Sequence, residues 1–296
     1  MLTAFTLGNM QDYELIDSGN QGRLERFGSY YISRPDPQLV WKPGLSEDDW
    51  NNVDAFYERT AENKACPERS RGGKWVMNNP IPEKWLMHYK DLSFYAKLTP
   101  FKHTGVFPEQ AIHWDWMREK IEKAKRPINV LNLFSYTGIS TLVCAAADAS
   151  VTHVDASHPT IGWAKQNQLA SKLQDKPIRS ILDDAMKFVQ REIRRGAKYD
   201  AIIMDPPVYG RGPKGETWSF NTSFPMLMED CQKLLPKNPL FILVNAYAIS
   251  SSAIMLENVL MDYLPKGKME CGELCLKEKS LGRLLSTGIF ARWCAK

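Results

Sequence analysis

From Ile128 onward, short apolar runs alternate with longer amphipathic stretches. The runs are Val130–Phe134, Val151–Asp155, Ile178–Leu182, Ala201–Asp205 and Phe241–Asn245. Segments such as AIIM and LFILV have no polar alternation, the mark of strands buried on both faces. Helical patterns lie between them at Ile139–Ala147, Pro159–Leu173, Ala185–Arg195 and Ser223–Leu235, and Ser251–Tyr263 follows the last strand. This alternation predicts an α/β fold, a doubly wound, mostly parallel, Rossmann-like sheet with helices on both faces. Two further strand-like runs, Met269–Lys277 and Thr287–Cys294, are joined by a basic, Gly-containing connection. They are expected to close the sheet with a hairpin and bring it to seven strands.

The chain before about residue 100 follows a different pattern. It is rich in Trp, Tyr, Pro and Gly, with short β-like runs at Tyr30–Ile32, Gln38–Trp41, Trp75–Met77 and Phe94–Leu98. Turn-forming clusters separate them: Ser18-Gly19-Asn20, Arg34-Pro35-Asp36-Pro37, Gly72-Gly73 and Asn78-Asn79-Pro80. Trp114–Lys125 reads as a helix with Trp114, Met117 and Ile121 on one face, stopped by Arg126-Pro127. Two domains are expected. Residues 1–100 form a smaller β-rich domain, a candidate for substrate binding, and 101–296 form the α/β domain. A length of 296 residues suits this division.

Composition narrows the class. Hydrophobic residues make up 44% and charged residues 24%, which excludes a mainly disordered chain. Lys plus Arg number 38 against 34 Asp plus Glu, a net +4 that permits local contact with nucleic acid and excludes a coating role. No apolar run approaches the roughly 18 residues of a membrane span. The start MLTAFTLGNM lacks a basic segment and a long apolar stretch, so no secretory signal is read there. A soluble cytoplasmic protein is expected, with six cysteines as thiols. Cys271 and Cys275 have no nearby histidine and read as neighbours on a strand or turn, so no metal is expected. Cys144 and Cys231 sit in apolar helical patterns and read as core fillers.

Ligands of open parallel sheets bind at the carboxyl ends of the strands. After the first strand comes Phe134-Ser135-Tyr136-Thr137-Gly138, opening a helix. The glycine permits close backbone approach, and the helix start offers unpaired amides to a carboxylate. The second strand ends in Asp155-Ala156-Ser157. Asp155 is placed to bind ribose hydroxyls, with Ser157 capping the next helix. The third ends in Asp183-Asp184-Ala185, where one carboxylate is read as a cap and the other as an adenine acceptor; Asp184 and Ala185 are assigned to the cofactor. The fourth ends in Asp205-Pro206-Pro207-Val208-Tyr209. Two prolines fix an extended turn, so Asp205 and the adjoining carbonyls face outward as acceptors. A dinucleotide oxidoreductase would need G-x-G-x-x-G after the first strand, and only one glycine is there. A ligand with an adenosine and a carboxylate but no phosphate, S-adenosylmethionine, fits better.

The stretches VLNLFSYTG, VTHVDAS, ILDDAMKFV and YDAIIMDPPVYG resemble class I SAM-dependent methyltransferases. More narrowly, they resemble the ribosomal RNA methyltransferases related to the large-subunit cytosine-C5 enzymes. Lys102–Gln110 is similar to that group's K-T-G-F-F-x-x-Q segment, which lies over the cofactor; the likeness implies that Thr104, Phe107 and Gln110 contact it. The resemblance covers about residues 95–295. The group's PUA domain is not recognisable in this chain. Where cytosine-C5 members carry a cysteine after the fifth strand, the sequence reads Val244-Asn245-Ala246-Tyr247-Ala248. C5 chemistry needs a thiolate nucleophile, so direct in-line methyl transfer is expected instead.

On this reading Asp205, Pro206, Pro207 and Tyr209 carry the transfer, with Asp205 and the Pro206 carbonyl orienting an amine. Tyr209 either stacks on a planar substrate or packs within its loop. Gly210–Glu216 reads as a flexible, partly basic loop, either closing over the site or solvated. Arg191, Arg194 and Arg195 read as a solvated helix end. The expected substrate is RNA, with ribosomal RNA implied by the resemblance alone. The alternatives are a methyltransferase for a protein or small molecule, and a nicotinamide enzyme or non-catalytic nucleotide binder.

Overall fold

The computed structural model describes residues 4–6, 10–59 and 72–295. Among these, the chain forms two compact units, one from residues within 1–5, 112–275 and 286–296, the other from residues within 6–111 and 276–285. The division therefore falls near residue 111 rather than 100, and the tip of the C-terminal hairpin groups with the N-terminal unit. Hydrogen bonds explain the second point. Ser18 Oγ donates to Glu278 (2.5 Å) and Ser280 Oγ to Asp17 (2.6 Å), and the Lys279 amide donates to the Leu15 carbonyl (2.9 Å).

The N-terminal unit contains a sheet of β2 (Tyr13–Gly19), β3 (Gly22–Phe27), β4 (Tyr30–Pro35), β5 (Ala55–Arg59) and β6 (Gly73–Met77), in that order. A short helix, α1 (Glu47–Asn51), and a hairpin of β7 (Trp85–Tyr89) and β8 (Leu92–Ala96) complete it. Strands β2 and β3 escape the sequence pattern because charges occupy their inner positions. Glu25 is fully buried, accepting from the Tyr13 hydroxyl (2.8 Å) and from Arg34 Nε (2.5 Å) and Nη2 (2.8 Å). The expected strand Gln38–Trp41 is absent. That segment follows Pro37 and lies over the β2–β3 turn, where the Asn20 and Gln21 amides donate to the Trp41 and Leu39 carbonyls (2.8 and 2.7 Å).

The larger unit is built on the predicted alternation. Parallel strands β9 (Asn129–Leu133), β10 (Ser150–Asp155), β11 (Ile178–Leu182), β12 (Ala201–Met204) and β15 (Phe241–Ala246) are joined by a hairpin, β16 (Gly267–Lys277) and β17 (Leu284–Ala295). β17 runs antiparallel to β15. Among the described residues the sheet has eight strands, not seven, in the order β1 (Ala4–Thr6), β16, β17, β15, β12, β9, β10, β11. The extra margin strand, β1 (Ala4–Thr6), has three residues, too few for a readable alternation. The helices are α2 (Ala111–Ala124), α3 (Ile139–Ala146), α4 (His158–Ala170), α5 (Ala185–Arg194), α6 (Phe220–Lys233) and α7 (Ala253–Tyr263). Leu131, Leu133, Ile202, Met204, Ile242 and Val244 pack against Phe188 of α5, Phe224 of α6 and Leu256 of α7, all essentially buried. On the other face Trp116 of α2 meets Phe241 edge-on, ring centres 5.0 Å apart.

Strand order reverses at β9, whose neighbours are β10 and β12. Leu133 pairs with Val154 on one side and Met204 on the other. Phe134, Asp155 and Asp205 therefore leave the sheet at one level, beside the switch point where open α/β sheets bind ligands. Among the described residues no helix is long and apolar enough to cross a membrane.

Arg34→Ala should lower the unfolding free energy by about 3–5 kcal/mol, since it leaves the Glu25 carboxylate buried and unpaired. Urea denaturation checks this.

Candidate active site at the strand ends

The turn from β9 into α3 bends sharply. Phe134, Tyr136 and Gly138 have φ of 56°, 50° and 83°, the first two in a region that costs a non-glycine residue about 1–2 kcal/mol. Hydrogen bonds to β10 hold the turn. The Ser135 amide donates to the Val154 carbonyl (3.1 Å), and the Ser135 hydroxyl donates to the Asn132 carbonyl (2.6 Å) while accepting from the Val154 amide (3.1 Å). The buried Asn167 side chain donates to the Thr137 carbonyl (2.9 Å). A Cβ on Gly138 would lie 3.0 Å from Ala164 Cβ and 3.3 Å from His153 Cε1, so the glycine answers to both conformation and space.

A buried polar relay supports the turn from beneath. Asn132 Nδ2 donates to Thr141 Oγ1 (2.9 Å), and the Thr141 hydroxyl meets His153 Nδ1 at 2.9 Å. The threonine hydroxyl, which can both accept and donate, thus joins the amide to the imidazole. Burial pulls the His153 pKa down to about 4, so the ring is neutral near pH 7.

Asp155 does more than the sequence reading allows. Its Oδ2 accepts the Tyr136 amide (2.8 Å), and its Oδ1 accepts the Ser157 amide (2.9 Å) and the Thr160 hydroxyl (2.8 Å). Ser157 stands at the cap position of α4 but makes no side-chain cap bond. The expectation that Ser157 caps and leaves Asp155 without that duty is thus corrected: Asp155 holds the helix start and the β9 turn together. Ala156 lies between them. At the next strand end Asp184 is the cap of α5, its Oδ1 accepting the Lys187 amide (3.0 Å), and Ala185 is the buried first residue of that helix. Asp183 pairs with Arg191 (2.5 Å), so Arg191 belongs to an ion pair rather than a purely solvated end. Arg195 pairs likewise with Glu192 (2.8 Å).

Asp205 is half-buried and Pro206 buried, whereas Pro207, Val208 and Tyr209 are exposed. The expected loose loop at Gly210–Glu216 is the end of an ordered hairpin, β13 (Tyr209–Arg211) and β14 (Thr217–Ser219), with Tyr209 opposite Ser219. Trp218 fastens it. Its indole N–H donates to the Pro207 carbonyl (2.7 Å), and its ring meets Phe134 edge-on with centres 4.8 Å apart. The Pro207 carbonyl therefore serves the hairpin and does not face outward as an acceptor. Glu216 pairs with Lys187 of α5 and accepts the Lys214 amide (2.8 Å). The Lys187 hydrogen bond leads in holding its carboxyl down to about 2. Sequence reasoning missed Trp218; the one signal was a large aromatic between a Gly/Pro-rich loop and a helix.

Thr104, Phe107 and Gln110 lie in the other unit. Thr104 and Gln110 are buried and Phe107 half-buried, beside a single 3₁₀ turn at Pro108–Gln110. At the end of β15, Asn245 is buried. Burial pushes the Cys144 thiol up to about 12 and that of Cys231 higher, so both are inert core groups.

The family model for S-adenosylmethionine-dependent methyltransferases matches residues 61–263. The chain belongs to this family. A SAM-dependent methyltransferase from Agrobacterium tumefaciens, known from a crystal structure, is 40% identical with a TM-score of 0.93, the match covering 99% of this chain and 94% of that one. SMU.776, solved as a complex with SAH, is 18% identical with a TM-score of 0.69 over 92% of this chain and 71% of its own, and shares the fold. Ribosomal RNA large subunit methyltransferase K/L from Alteromonas mediterranea is 27% identical over 191 residues, 61% of this chain and 26% of that protein. Its counterpart from Pseudoalteromonas atlantica is 31% identical over 144 residues, 48% and 19% of the respective lengths. This methyltransferase thus spans about a quarter or less of the length of the curated relatives it matches. S-adenosylmethionine is the cofactor of the family. The tight glycine turn beside an acidic strand end fits it, and the single glycine leaves no pyrophosphate cradle.

Trp218→Phe keeps the ring but removes the bond to Pro207. It should lower stability by about 1–3 kcal/mol, measured by urea denaturation, because a carbonyl loses its partner. A second expectation concerns pH. The unfolded His153 takes up a proton near 6.5, the folded one only near 4. Between these values the unfolded chain binds more protons, so this histidine's contribution to stability is whole above 6.5 and fades as pH falls towards 4. Melting curves of His153→Asn should show a shallower acid-side loss than the wild type.

Proposed function

We propose that this methyltransferase modifies a nucleobase of RNA, with ribosomal RNA as substrate and the cytoplasm as its location. The observation that carries the reading is the Asp205-Pro206-Pro207 turn, which leaves the sheet level with the glycine turn and presents Val208 and Tyr209, 44% and 42% exposed. The names of the curated relatives, ribosomal RNA large subunit methyltransferases, support RNA over other acceptors.

Bound S-adenosylmethionine supplies a methyl group already activated on a sulfonium. The residues that hold it are Phe134, Ser135, Tyr136, Thr137 and Gly138 at the amino-acid end, Asp155, Ala156 and Ser157 at the ribose, and Asp184 and Ala185 at the adenine. Thr104, Phe107 and Gln110 join this set from the resemblance. A carboxylate has about four lone-pair positions. Asp155 gives three to Tyr136, Ser157 and Thr160, so a single ribose hydroxyl bond suits it. Asp205 and the Pro206 carbonyl accept the hydrogens of an exocyclic amine and aim its lone pair for in-line transfer. Pro207 shapes the turn, and Tyr209 stacks on the base. The absence of a cysteine after β15 argues for this direct route over the thiolate route.

Nucleoside mass spectrometry on RNA from cells lacking the protein should reveal one missing methylated nucleoside. Complementation with Asp205→Ala should leave it missing, with transfer reduced on the order of 100-fold in vitro. Unchanged RNA together with a methylated protein would refute the RNA reading.

A further inference from the structure

In the N-terminal unit, the turn Thr99–Lys102 carries Phe101 at its tip, 67% exposed. Surface loops with an exposed aromatic are ordinarily loose. This one is tied at three carbonyls. That of Thr99 accepts the Lys102 amide (3.2 Å) and the Trp75 indole (2.8 Å). That of Pro100 accepts the Tyr57 hydroxyl (2.7 Å). That of His103 accepts both the amide and the hydroxyl of Thr99 (3.0 and 2.8 Å). Lys102 takes a left-handed φ of 63° to close the turn, and its ammonium donates to the Pro35 carbonyl (3.1 Å). Tyr57 and Trp75 are themselves opposite each other on β5 and β6, ring centres 5.3 Å apart. These bonds fix the backbone of the tip while leaving the Phe101 ring in solvent. Fixing a contact group in advance removes the entropy that binding would otherwise lose.

Paired charges lie beside the turn, Arg34 with Glu25 and Arg23 with Asp36, and Lys102 and Arg59 add two further cations. Burial brings the Lys102 ammonium down to about 8, with Asp36 opposing the shift and Arg34, Arg23 and Arg59 adding to it. A single rigid exposed ring with Lys102 and Arg59 in the same region suits a base on a phosphate backbone, where stacking supplies affinity without sequence readout. A protein interface of ordinary size would instead engage roughly 20–30 residues a side.

Resting on the RNA reading, we infer that Phe101 is a stacking platform for an unpaired nucleobase of the substrate, with Arg59 contributing to attraction of the backbone. The test uses the full chain, with Phe101→Ala, Phe101→Trp and Arg59→Ala. Binding of a short fluorescein-labelled single-stranded RNA of uridines or adenosines is read by anisotropy across a salt series. Phe101→Ala should weaken binding about tenfold at every salt concentration and raise KM for RNA by a similar factor, with kcat and the SAM Kd unchanged. Phe101→Trp should restore both. Arg59→Ala should lessen the salt dependence. If the wild type methylates RNA and Phe101→Ala binds and reacts as the wild type does, the stacking platform is overturned while the RNA reading stands. If the wild type methylates only protein and binds no oligonucleotide, the RNA reading fails and the platform with it.

Discussion

The pairing of β9 with β10 on one side and β12 on the other fixes the heights at which three strands leave the sheet. Phe134, Asp155 and Asp205 follow from that register, and each lies at the start of a turn that would face a ligand. A shift of a single residue in either pairing would invert the faces of a whole strand. The apolar core of β9, β12 and β15 is therefore a positioning device as well as a source of stability. The site inherits its geometry from side chains such as Leu133, Met204 and Val244, which lie beneath it.

Polar groups then refine what the register sets. Asp155 ties the glycine turn to the start of α4, and Trp218 ties the Asp205 turn to Phe134. The two unusual backbone angles at Phe134 and Tyr136 persist because hydrogen bonds from β10 surround them. Strain held by a satisfied polar frame is typical of binding sites. Under the turn, the Asn132–Thr141–His153 relay holds a buried, neutral imidazole in place.

Much of this was legible from the amino-acid order where one physical rule dominates. Continuous apolar runs mark strands covered on both faces, and the Asp-Pro-Pro sequence marks the end of one. Legibility failed where side chains act against type. Glu25 and Arg34 face inward as a pair, so the alternation of β3 and β4 carries charge at interior positions. Tyr209–Ser219 reads as a loop because its ordering comes from Trp218 and Glu216, partners that local propensity does not reveal. The helix after it begins at Phe220, ahead of the expected Ser223, with Phe220 and Phe224 stacked at 4.9 Å. The resemblance to a methyltransferase family rested on the motifs at the strand ends, and those are the parts the register brings together.

The two margins of the large sheet differ from its middle. One is β11, with Arg179 and Ser180 exposed; the other is the three-residue β1. A strand of three residues, and one of five that carries an arginine on its open face, are short templates for another chain's backbone. While the interior strands are as apolar as those of aggregating segments, the outermost rows offer little to extend, so neighbouring copies gain little by continuing the ladder.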